Sequence, residues 1–321
     1  MINDRGPLVA GVCQRRFPVM GTVAHVLTVG GDPEAIDEAR SRLEALERQW
    51  SRFLPRSELS RLNGSPGVPT IVSHETYRLI ELAVDAWRQT GGSFDPTIEP
   101  TMTAAGYDRS FDRLDHSQQN RPAADLPAPG PAGVTLHPYA NAVELPDGVR
   151  LDLGGIAKGR AADLVAAELI ATGAEGCCVN IGGDLRVMGT PPRAEGWQVD
   201  LDCPGSELRV TIGVAAGAVC TSTSAKRRWA TAQGRQHHLR DPASGASLDT
   251  GLTSVTIVSA TATQAEVLTK AVFAAGPNAG RALAAQYEVT GLLVHDDGTA
   301  EALPDLDRFV AAGVGEAAGS V

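Results

Sequence analysis

The chain has 321 residues, of which 28 are Lys or Arg and 38 are Asp or Glu, so its formal net charge at pH 7 is −10. A chain of this length suits one large domain or two packed domains, and the acidic balance argues against a nucleic-acid partner. No apolar run approaches the roughly 18 residues that span a bilayer and the first residues lack the pattern of a signal peptide, which predicts a cytoplasmic protein without a membrane span.

The N-terminal third predicts one strand followed by two amphipathic helices. Residues 23–29 are mostly apolar and β-branched, and the turn formers at 30–33 end this strand. We expect the first helix to start with Asp32 as its cap and Pro33 at its first position. The second helix runs from residue 73 to about 90. Apolar residues at helical spacing predict the buried faces, which are Ile36, Leu43, Leu46 and Trp50 in the first helix and Tyr77, Ile80, Val84 and Trp87 in the second.

Composition divides the chain into parts. Residues 1–114 form an N-terminal part with helices, residues 115–135 are rich in Pro and Ala and predict a surface loop, and residues 311–321 predict a frayed tail. Residues 136–310 alternate short strands with helices, which makes the predicted fold class α+β, with mixed sheets packed against flanking helices. The predicted strands are 176–187, 197–201, 208–214 and 252–258, and the predicted helices are 159–171 and 263–275.

The five cysteines predict free, buried thiols. They are odd in number and contain no C-x-x-C pair, the spacing that a disulfide framework or a zinc site needs. Cys177 and Cys178 are adjacent in a predicted strand, so their side chains point to opposite faces of the sheet.

Two glycine-containing segments suggest a ligand site. Residues 92–97 combine glycine, an aromatic ring and a carboxylate directly after a helix, which fits either ligand approach or an ordinary helix end. Residues 151–160 predict a strand, a paired-glycine turn and a helix N-terminus. Free backbone N–H groups and the charge of Lys158 would make this turn an anion site, although a tight turn between a strand and a helix explains the same residues.

Four further segments leave both a chemical and a structural interpretation open. Residues 180–184 read as a strand interrupted by glycines, through a bulge or a close approach. Residues 220–229 join hydroxyls to a basic cluster that suits phosphate oxygens or simply faces water. His238 and Asp241 place a titratable base beside a carboxylate, and Glu266 and Lys270 lie one helical turn apart, as many surface pairs do.

Taken in order, these segments resemble the ApbE family, the flavin transferases that move FMN from FAD onto a protein threonine. The resemblance covers the chain from Met20 to about residue 276, and the family domain is expected to span residues 20–300. The matching segments are Met20-Gly21-Thr22, W-S-R-F at 50–53, E-L-S-R-L-N at 58–63, G-S-F-D-P-T at 92–97, D-L-G-G-I-A-K-G at 152–159, N-I-G-G-D at 180–184 and H-L-R-D-P-A-S-G at 238–245.

The resemblance implies an α+β fold that binds FAD, as substrate, in a cleft between the two halves of the chain. It implies that residues 1–114 supply FAD-contacting loops and that residues 136–310 contain a diphosphate cradle at 154–158, with Phe53 and Phe94 beside ring surfaces. The FAD-binding residues carried over are Met20, Phe53, Ser93, Phe94, Asp95, Asp152, Gly154, Gly155, Lys158 and His238.

The resemblance also implies a divalent cation, usually Mg²⁺, on a helix that carries Asp and, four residues later, Thr. The matching positions here are Glu266 and Lys270, with the backbone carbonyl of Ala157 as a further ligand. A charged lysine has three donors and no lone pair, which puts the metal site in doubt. We assign catalytic roles to Asp241, Lys270 and His238, with Lys270 supplying part of the charge that a cation otherwise supplies.

Three functions follow from the sequence. The first is a transferase that moves FMN from FAD to a threonine of an acceptor protein with release of AMP. The second is a non-catalytic or weakly catalytic FAD-binding protein that has lost the metal site. The third is a related α+β enzyme that acts on another nucleotide.

Overall fold

The computed structural model describes residues 10–115, 122–194, 196–206 and 208–310. The frayed tail predicted at 311–321, the first nine residues and residues 116–121 of the predicted loop lie outside the described residues. The helices are α1 Ala35–Trp50, α2 Glu58–Asn63, α3 His74–Gln89, α4 Glu99–Ala104, α5 Ala157–Ala171 and α6 Ala262–Gln286. The strands are β1 Val12–Val19, β2 Thr22–Val29, β3 Thr70–Ile71, β4 Thr135–His137, β5 Ala142–Glu144, β6 Gly176–Ile181, β7 Asp184–Gly189, β8 Trp197–Asp200, β9 Thr211–Val214, β10 Gly217–Thr223, β11 Arg228–Thr231, β12 Gly234–His237, β13 Leu252–Ser259, β14 Thr290–His295 and β15 Ala300–Ala302.

The described residues form two compact units made of interleaved stretches of chain. The first unit takes the described residues up to Glu44, then 158–223 and those from Gly251 onward. The second unit takes the described residues of 45–157 and 224–250. The parts predicted from composition, by contrast, are continuous stretches of chain that divide at residues 114 and 136.

The first unit is built on an eight-stranded antiparallel sheet with the order β1-β2-β6-β7-β10-β13-β14-β15. Helix α6 packs on β10 and β13. A fully buried Trp197 anchors an aliphatic cluster that includes Val219 of β10. Successive residues of a strand point to opposite faces, and Cys177 accordingly contacts the carbonyl of Ala166 in α5 while Cys178 joins the Trp197 cluster, as predicted.

Two glycine positions change the predicted elements of this unit. The strand predicted over 176–187 is wrong, because β6 and β7 form a hairpin whose turn is Gly182-Gly183, with φ of 65° and 107°. Such angles suit glycine in a two-residue hairpin turn. The helix predicted over 263–275 is confirmed, but helical structure continues to Gln286 after a break at Gly276, where φ is 74° and Pro277 follows.

The predicted strand 23–29 and both N-terminal helices are confirmed, with three differences. Helix α1 begins at Ala35 rather than at Pro33, although the Asp32 side chain accepts the Glu34 N–H at 2.9 Å, as expected of the predicted cap. Helix α3 begins after its cap Ser73. Its predicted core face is buried except for Trp87, which is partly exposed.

The second unit contains helices α2 to α4, the three-stranded sheet β3-β5-β4 and the hairpin of β11 and β12. The described residues of the predicted Pro/Ala-rich loop form no helix or strand before Thr135. Tyr107 and Trp229 pack with Met102 in an aromatic cluster, with ring centroids of Tyr107 and Trp229 5.3 Å apart. The part of the chain that the structure describes contains no helix long and apolar enough to cross a membrane.

Candidate active site

Four charged side chains meet in the first unit around Glu266, a fully buried residue of α6. Lys158, in the first turn of α5, bonds to the carboxylates of both Glu266 and Asp184. The second Glu266 oxygen, Oε2, accepts the Gly159 backbone N–H at 2.7 Å. Lys270 Nζ lies 3.0 Å from the Glu266 carbonyl oxygen and 3.4 Å from Oε1. We call Lys158, Asp184, Glu266 and Lys270 the lysine–carboxylate cluster.

The cluster holds Glu266 as a carboxylate. Burial acts to raise the pKa of Glu266, but the two lysines and the Gly159 N–H outweigh burial, and its pKa falls below the usual value. Burial acts to lower the pKa of Lys158, but Asp184 and Glu266 raise it above the usual value. The pKa of Lys270 is lowered by burial, and that of Asp184 is raised by burial.

This donor set does not suit the divalent cation that the resemblance implies. Mg²⁺ takes oxygen ligands in octahedral geometry, whereas Lys270 presents N–H donors at the position where the resemblance implies a threonine hydroxyl. With both lysines charged, the cluster has a net charge of zero when Asp184 is ionised and is positive when Asp184 is protonated. In either state it lacks the net negative charge that attracts a divalent cation. Ala157, whose carbonyl we expected as a ligand, is the buried first residue of α5.

The described residues offer no alternative metal site built from His, Cys, Asp or Glu side chains. Among them no three His, Cys, Asp or Glu side chains are arranged to hold a metal ion.

Met20 lies in the β1–β2 hairpin of the same unit. Its φ of 52° is followed by a φ of 64° at Gly21, so these two residues form a tight turn. The Gly182 N–H bonds to the Val23 carbonyl at 3.2 Å, which sets the N-I-G-G-D turn beside the start of β2. A Cβ on Gly182 would lie 2.5 Å from the Thr22 hydroxyl oxygen. Two motifs far apart in sequence are therefore neighbours in the first unit.

The second unit brings Phe53 and Asp152 together through Arg52, a residue that sequence reasoning did not select as a site residue. Arg52 Nε lies 2.8 Å from Asp152 Oδ2, and its Nη2 donates to the Tyr107 carbonyl at 2.8 Å. The guanidinium lies 4.2 Å from the Phe53 ring centroid and 5.0 Å from that of Tyr107. Asp152 thus has a cationic partner within this unit, and one face of Phe53 is covered.

The G-S-F-D-P-T segment folds into a turn after α3. Asp95 Oδ1 accepts hydrogen bonds from the Thr97 N–H and hydroxyl at 2.7 and 2.6 Å, and burial raises the pKa of Asp95. Phe94 is buried, whereas Ser93 is partly exposed. Because the Phe94 ring is only 4% exposed, its predicted contact with FAD stays a prediction.

The predicted strand at 151–153 is also wrong. The Leu151 N–H bonds to the Asn63 side chain at 2.8 Å and the Asp152 N–H to the Pro96 carbonyl at 2.8 Å, and the segment joins no sheet. Gly154 is exposed and donates its N–H to Asp152 Oδ1 at 2.8 Å, while Gly155 is partly exposed.

The turn itself is therefore less open to an anion than expected. The Ile156 and Ala157 N–H groups bond to the Leu153 carbonyl, so three of the expected amide donors are already engaged. The Lys158 ammonium reaches the lysine–carboxylate cluster, where two carboxylates neutralise its charge.

The H-L-R-D-P-A-S-G segment is organised by Arg240. Its side chain is fully buried, with Nε 2.8 Å from the Gly245 carbonyl and Nη1 2.7 Å from the Ser247 hydroxyl. Asp241 closes the turn by accepting the Ala243 and Ser244 N–H groups at 3.1 and 3.2 Å. His238, which we assigned to catalysis and FAD, is partly exposed in this segment.

Sequence reasoning missed Arg52, Asp184 and Arg240 as site residues, although all three lie within the quoted motifs. Their partners are distant in sequence: Lys158 and Glu266 are 108 positions apart, and Arg240 and Asp125 are 115 apart. No periodicity or spacing relates such positions in one sequence. The one sequence feature that could have identified these residues is that each is a charged residue inside an otherwise apolar or glycine-containing motif.

Comparison with known proteins places these segments in one family pattern. The sequence model of the ApbE family matches residues 20–293. A curated FAD:protein FMN transferase from Klebsiella pneumoniae is 30% identical over 268 residues, which cover 78% of this chain and 80% of that protein. The FAD:protein FMN transferase from Treponema pallidum is 27% identical over 313 residues, covering 87% and 83%.

A solved structure shows the same fold. The crystal structure of the ApbE protein from Thermotoga maritima matches with a TM-score of 0.83 and 26% identity, covering 93% of this chain and 99% of that one. The predicted α+β class is confirmed by this likeness.

Proposed function

The chain belongs to the ApbE family, and we propose that it transfers the FMN half of FAD to a threonine hydroxyl of an acceptor protein and releases AMP. The chain is an FAD:protein FMN transferase, as its relatives from Klebsiella pneumoniae and Treponema pallidum are named. The observation that carries this function is the family match over residues 20–293, which contains all seven quoted motifs in order. The same comparisons favour the transferase over a non-catalytic FAD-binding protein.

The proposed reaction is a phosphoryl transfer. The threonine oxygen attacks the phosphorus of the FMN half, a phosphoester bond forms, and the bond to the bridging oxygen of the diphosphate breaks. AMP leaves with that oxygen and its electron pair, and the hydroxyl proton passes to a base or to water. Catalysis of such a reaction consists mainly of positioning and of stabilising negative charge.

The residues carried over for FAD binding remain a proposal, supported by their local order. Asp152 and Phe53 are held by the buried Arg52, whose side chain is 5% exposed. Asp95 is fixed by Thr97, and His238 and Asp241 lie in a turn fixed by Arg240. Residues positioned in this way lose little conformational freedom when a substrate binds.

The resemblance implies Mg²⁺, but the lysine–carboxylate cluster of this chain does not suit the ion. A cytoplasmic location and the lack of a nucleic-acid partner stay predictions, and the net charge of −10 supports the second.

The test is chromatography of FAD incubated with the protein and a peptide that contains Asp-x-x-Thr. We expect AMP and flavin-labelled peptide in equal amounts. A matched peptide with Ala in place of Thr should give no labelled product. Intact FAD with every threonine peptide and in every buffer would contradict the transferase function, and cleavage of ATP or NAD⁺ in preference to FAD would favour an enzyme for another nucleotide.

A further inference from the structure

The lysines of this chain are unusually placed. The sequence has three lysines among its 28 basic residues, at positions 158, 226 and 270, and the remainder are arginines. Lys226 is exposed. The other two converge on the same buried carboxylate, Glu266, from two different helices.

The position of Lys270 is what distinguishes this cluster from an oxygen-ligand site. Its Nζ donates to the backbone carbonyl of Glu266 at 3.0 Å, and it shares the Oε1 atom of that residue with Lys158. The Lys270 side chain is 20% exposed and that of Lys158 is 16% exposed, whereas the Glu266 side chain is 0% exposed. The cations therefore lie nearer to solvent than the carboxylate that holds them.

The charges of the cluster depend on Lys270. Lys158, Lys270, Asp184 and Glu266 sum to zero when all four are ionised. Replacing Lys270 by a neutral residue changes the sum to −1 and removes the donors that face Glu266. The charge of Lys270 therefore makes the lysine–carboxylate cluster neutral, and a neutral residue at position 270 would make the cluster negative enough to attract a divalent cation.

We propose that Lys270, held beside Lys158 by Glu266, supplies in this chain the positive charge that a divalent cation supplies in the family pattern, so that FMN transfer needs no divalent metal. This inference rests on the transferase function proposed above.

The role assigned to Lys270 is electrostatic. Negative charge grows on the bridging oxygen as AMP leaves. Lys270 Nζ already donates to two Glu266 oxygens, which leaves one of its three N–H donors to stabilise that charge by a hydrogen bond. Lys270 keeps its proton throughout, so the bonds formed and broken are those of the FMN transfer described above. Because the side chain is held in place before the reaction, little reorganisation is needed when charge develops.

The first experiment compares the wild-type chain in EDTA and in Mg²⁺, with FAD and the threonine peptide. We expect transfer rates within about twofold of each other. K270T should lose about 10²–10³-fold in EDTA, the cost of removing one such donor, and should regain activity in Mg²⁺. K270M, which offers no oxygen ligand, should be slow in both buffers. K226T removes the third lysine, and its response to Mg²⁺ should match that of the wild-type chain.

A second readout does not depend on activity. Mn²⁺ titrated into the protein and followed by electron paramagnetic resonance should stay free with the wild-type chain and should bind one equivalent of K270T. Circular dichroism and the thermal midpoint show whether K270T and K270M are folded. A purely structural Lys270 would lower stability without creating either metal dependence or a Mn²⁺ site.

The possible failures can be told apart. Wild-type transfer that occurs in Mg²⁺ and stops in EDTA overturns the inference and leaves the transferase function standing. Equal Mn²⁺ binding by the wild-type chain and K270T overturns it as well. No AMP and no labelled peptide in any buffer overturns the transferase function, and the inference falls with it.

Discussion

Arg240 shows how one buried charge can fix a whole turn. Its guanidinium contacts the Gly245 carbonyl, the Ser247 hydroxyl and Asp125, and the Arg240 side chain is 0% exposed while that of Asp125 is 58% exposed. The two ends of this ion pair therefore differ in what their removal costs. Loss of the arginine strands a buried carbonyl, whereas loss of the aspartate charge removes an interaction already screened by water.

We predict that R240A lowers the free energy of unfolding by about 2–3 kcal/mol, because buried hydrogen bonds and side-chain packing are lost together. D125N is the matched variant at the other end of the pair and should cost less than about 1 kcal/mol. Denaturant unfolding of both variants measures the difference. Equal losses would show that the ion pair, rather than the buried hydrogen bonds, holds the turn.

His237 makes the stability of the second unit depend on pH. Nε2 donates to the Leu248 carbonyl at 3.1 Å, and Nδ1 accepts the Leu239 N–H at 3.3 Å, so the neutral ring satisfies both partners. Burial lowers the pKa of His237. The unfolded chain therefore takes up the proton first as pH falls, and stability decreases with it.

The expected stabilisation from neutral His237 is fully present above the unfolded pKa of about 6.5 and is lost as pH falls below it, with a slope of at most about 1.4 kcal/mol per pH unit. H237Q retains a polar side chain without this titration, so its unfolding free energy should depend less on pH between 7 and 5. Parallel pH profiles for H237Q and the wild-type chain would assign the dependence to other groups.

At the scale of elements, the start of α5 is joined closely to the start of α6. Asp163 of α5 accepts the N–H groups of Ala262 and Thr263, each at 2.9 Å, and so caps the first turn of α6. The Gly159 backbone approaches so closely that a Cβ there would lie 2.3 Å from the Ala262 carbonyl oxygen. This contact also aligns the Gly159 N–H with Glu266.

G159A should therefore destabilise the protein even though alanine favours helices by about 1 kcal/mol over glycine. A backbone clash of this size forces the two helices apart, and overpacking typically costs about 1–3 kcal/mol. We expect a net loss in the free energy of unfolding, together with slower FMN transfer because the lysine–carboxylate cluster is displaced.

G213A provides the control in the same unit. The nearest atom to a Cβ at Gly213 is the Phe309 carbonyl oxygen, 4.0 Å away, so its unfolding free energy should change by less than about 0.5 kcal/mol. A stable, fully active G159A would show that α5 and α6 can shift without cost and that the glycine is not required for close packing.

The sequence predicted helices and strands best where the residues of the element itself determine its conformation. Apolar spacing located the buried face of α1, and the predicted helix end at residue 275 coincides with the break of α6 at Gly276. Prediction failed where a distant partner decides the conformation. Residues 151–153 form no strand, and the N–H groups of Leu151 and Asp152 bond to Asn63 and Pro96 instead. Paired glycines turn the chain at 182–183, where β6 and β7 pair as a hairpin.

At the scale of the whole molecule, the sequence located the candidate site through ordered motifs but not through contacts. Lys158 and Lys270 were both singled out, yet only the fold shows that they share Glu266 and that Asp184 joins them. The interpretation of the glycine turn as an open anion site treated Lys158 as a free charge. Folding gives that charge two carboxylate partners, which no local pattern records.

Binding of FAD should stabilise the molecule in a way that separates substrate recognition from metal chemistry. A ligand that binds only the native state adds about 2.7 kcal/mol of stability at a concentration 100 times its Kd. Because the lysine–carboxylate cluster carries its own cations, we expect FAD to raise the thermal midpoint equally in EDTA and in Mg²⁺. ATP and NAD⁺ at the same concentration should raise it less, since neither contains a flavin. A shift that appears only with Mg²⁺ would mean that the ion takes part in binding FAD, and the charge of Lys270 would then be insufficient for that step.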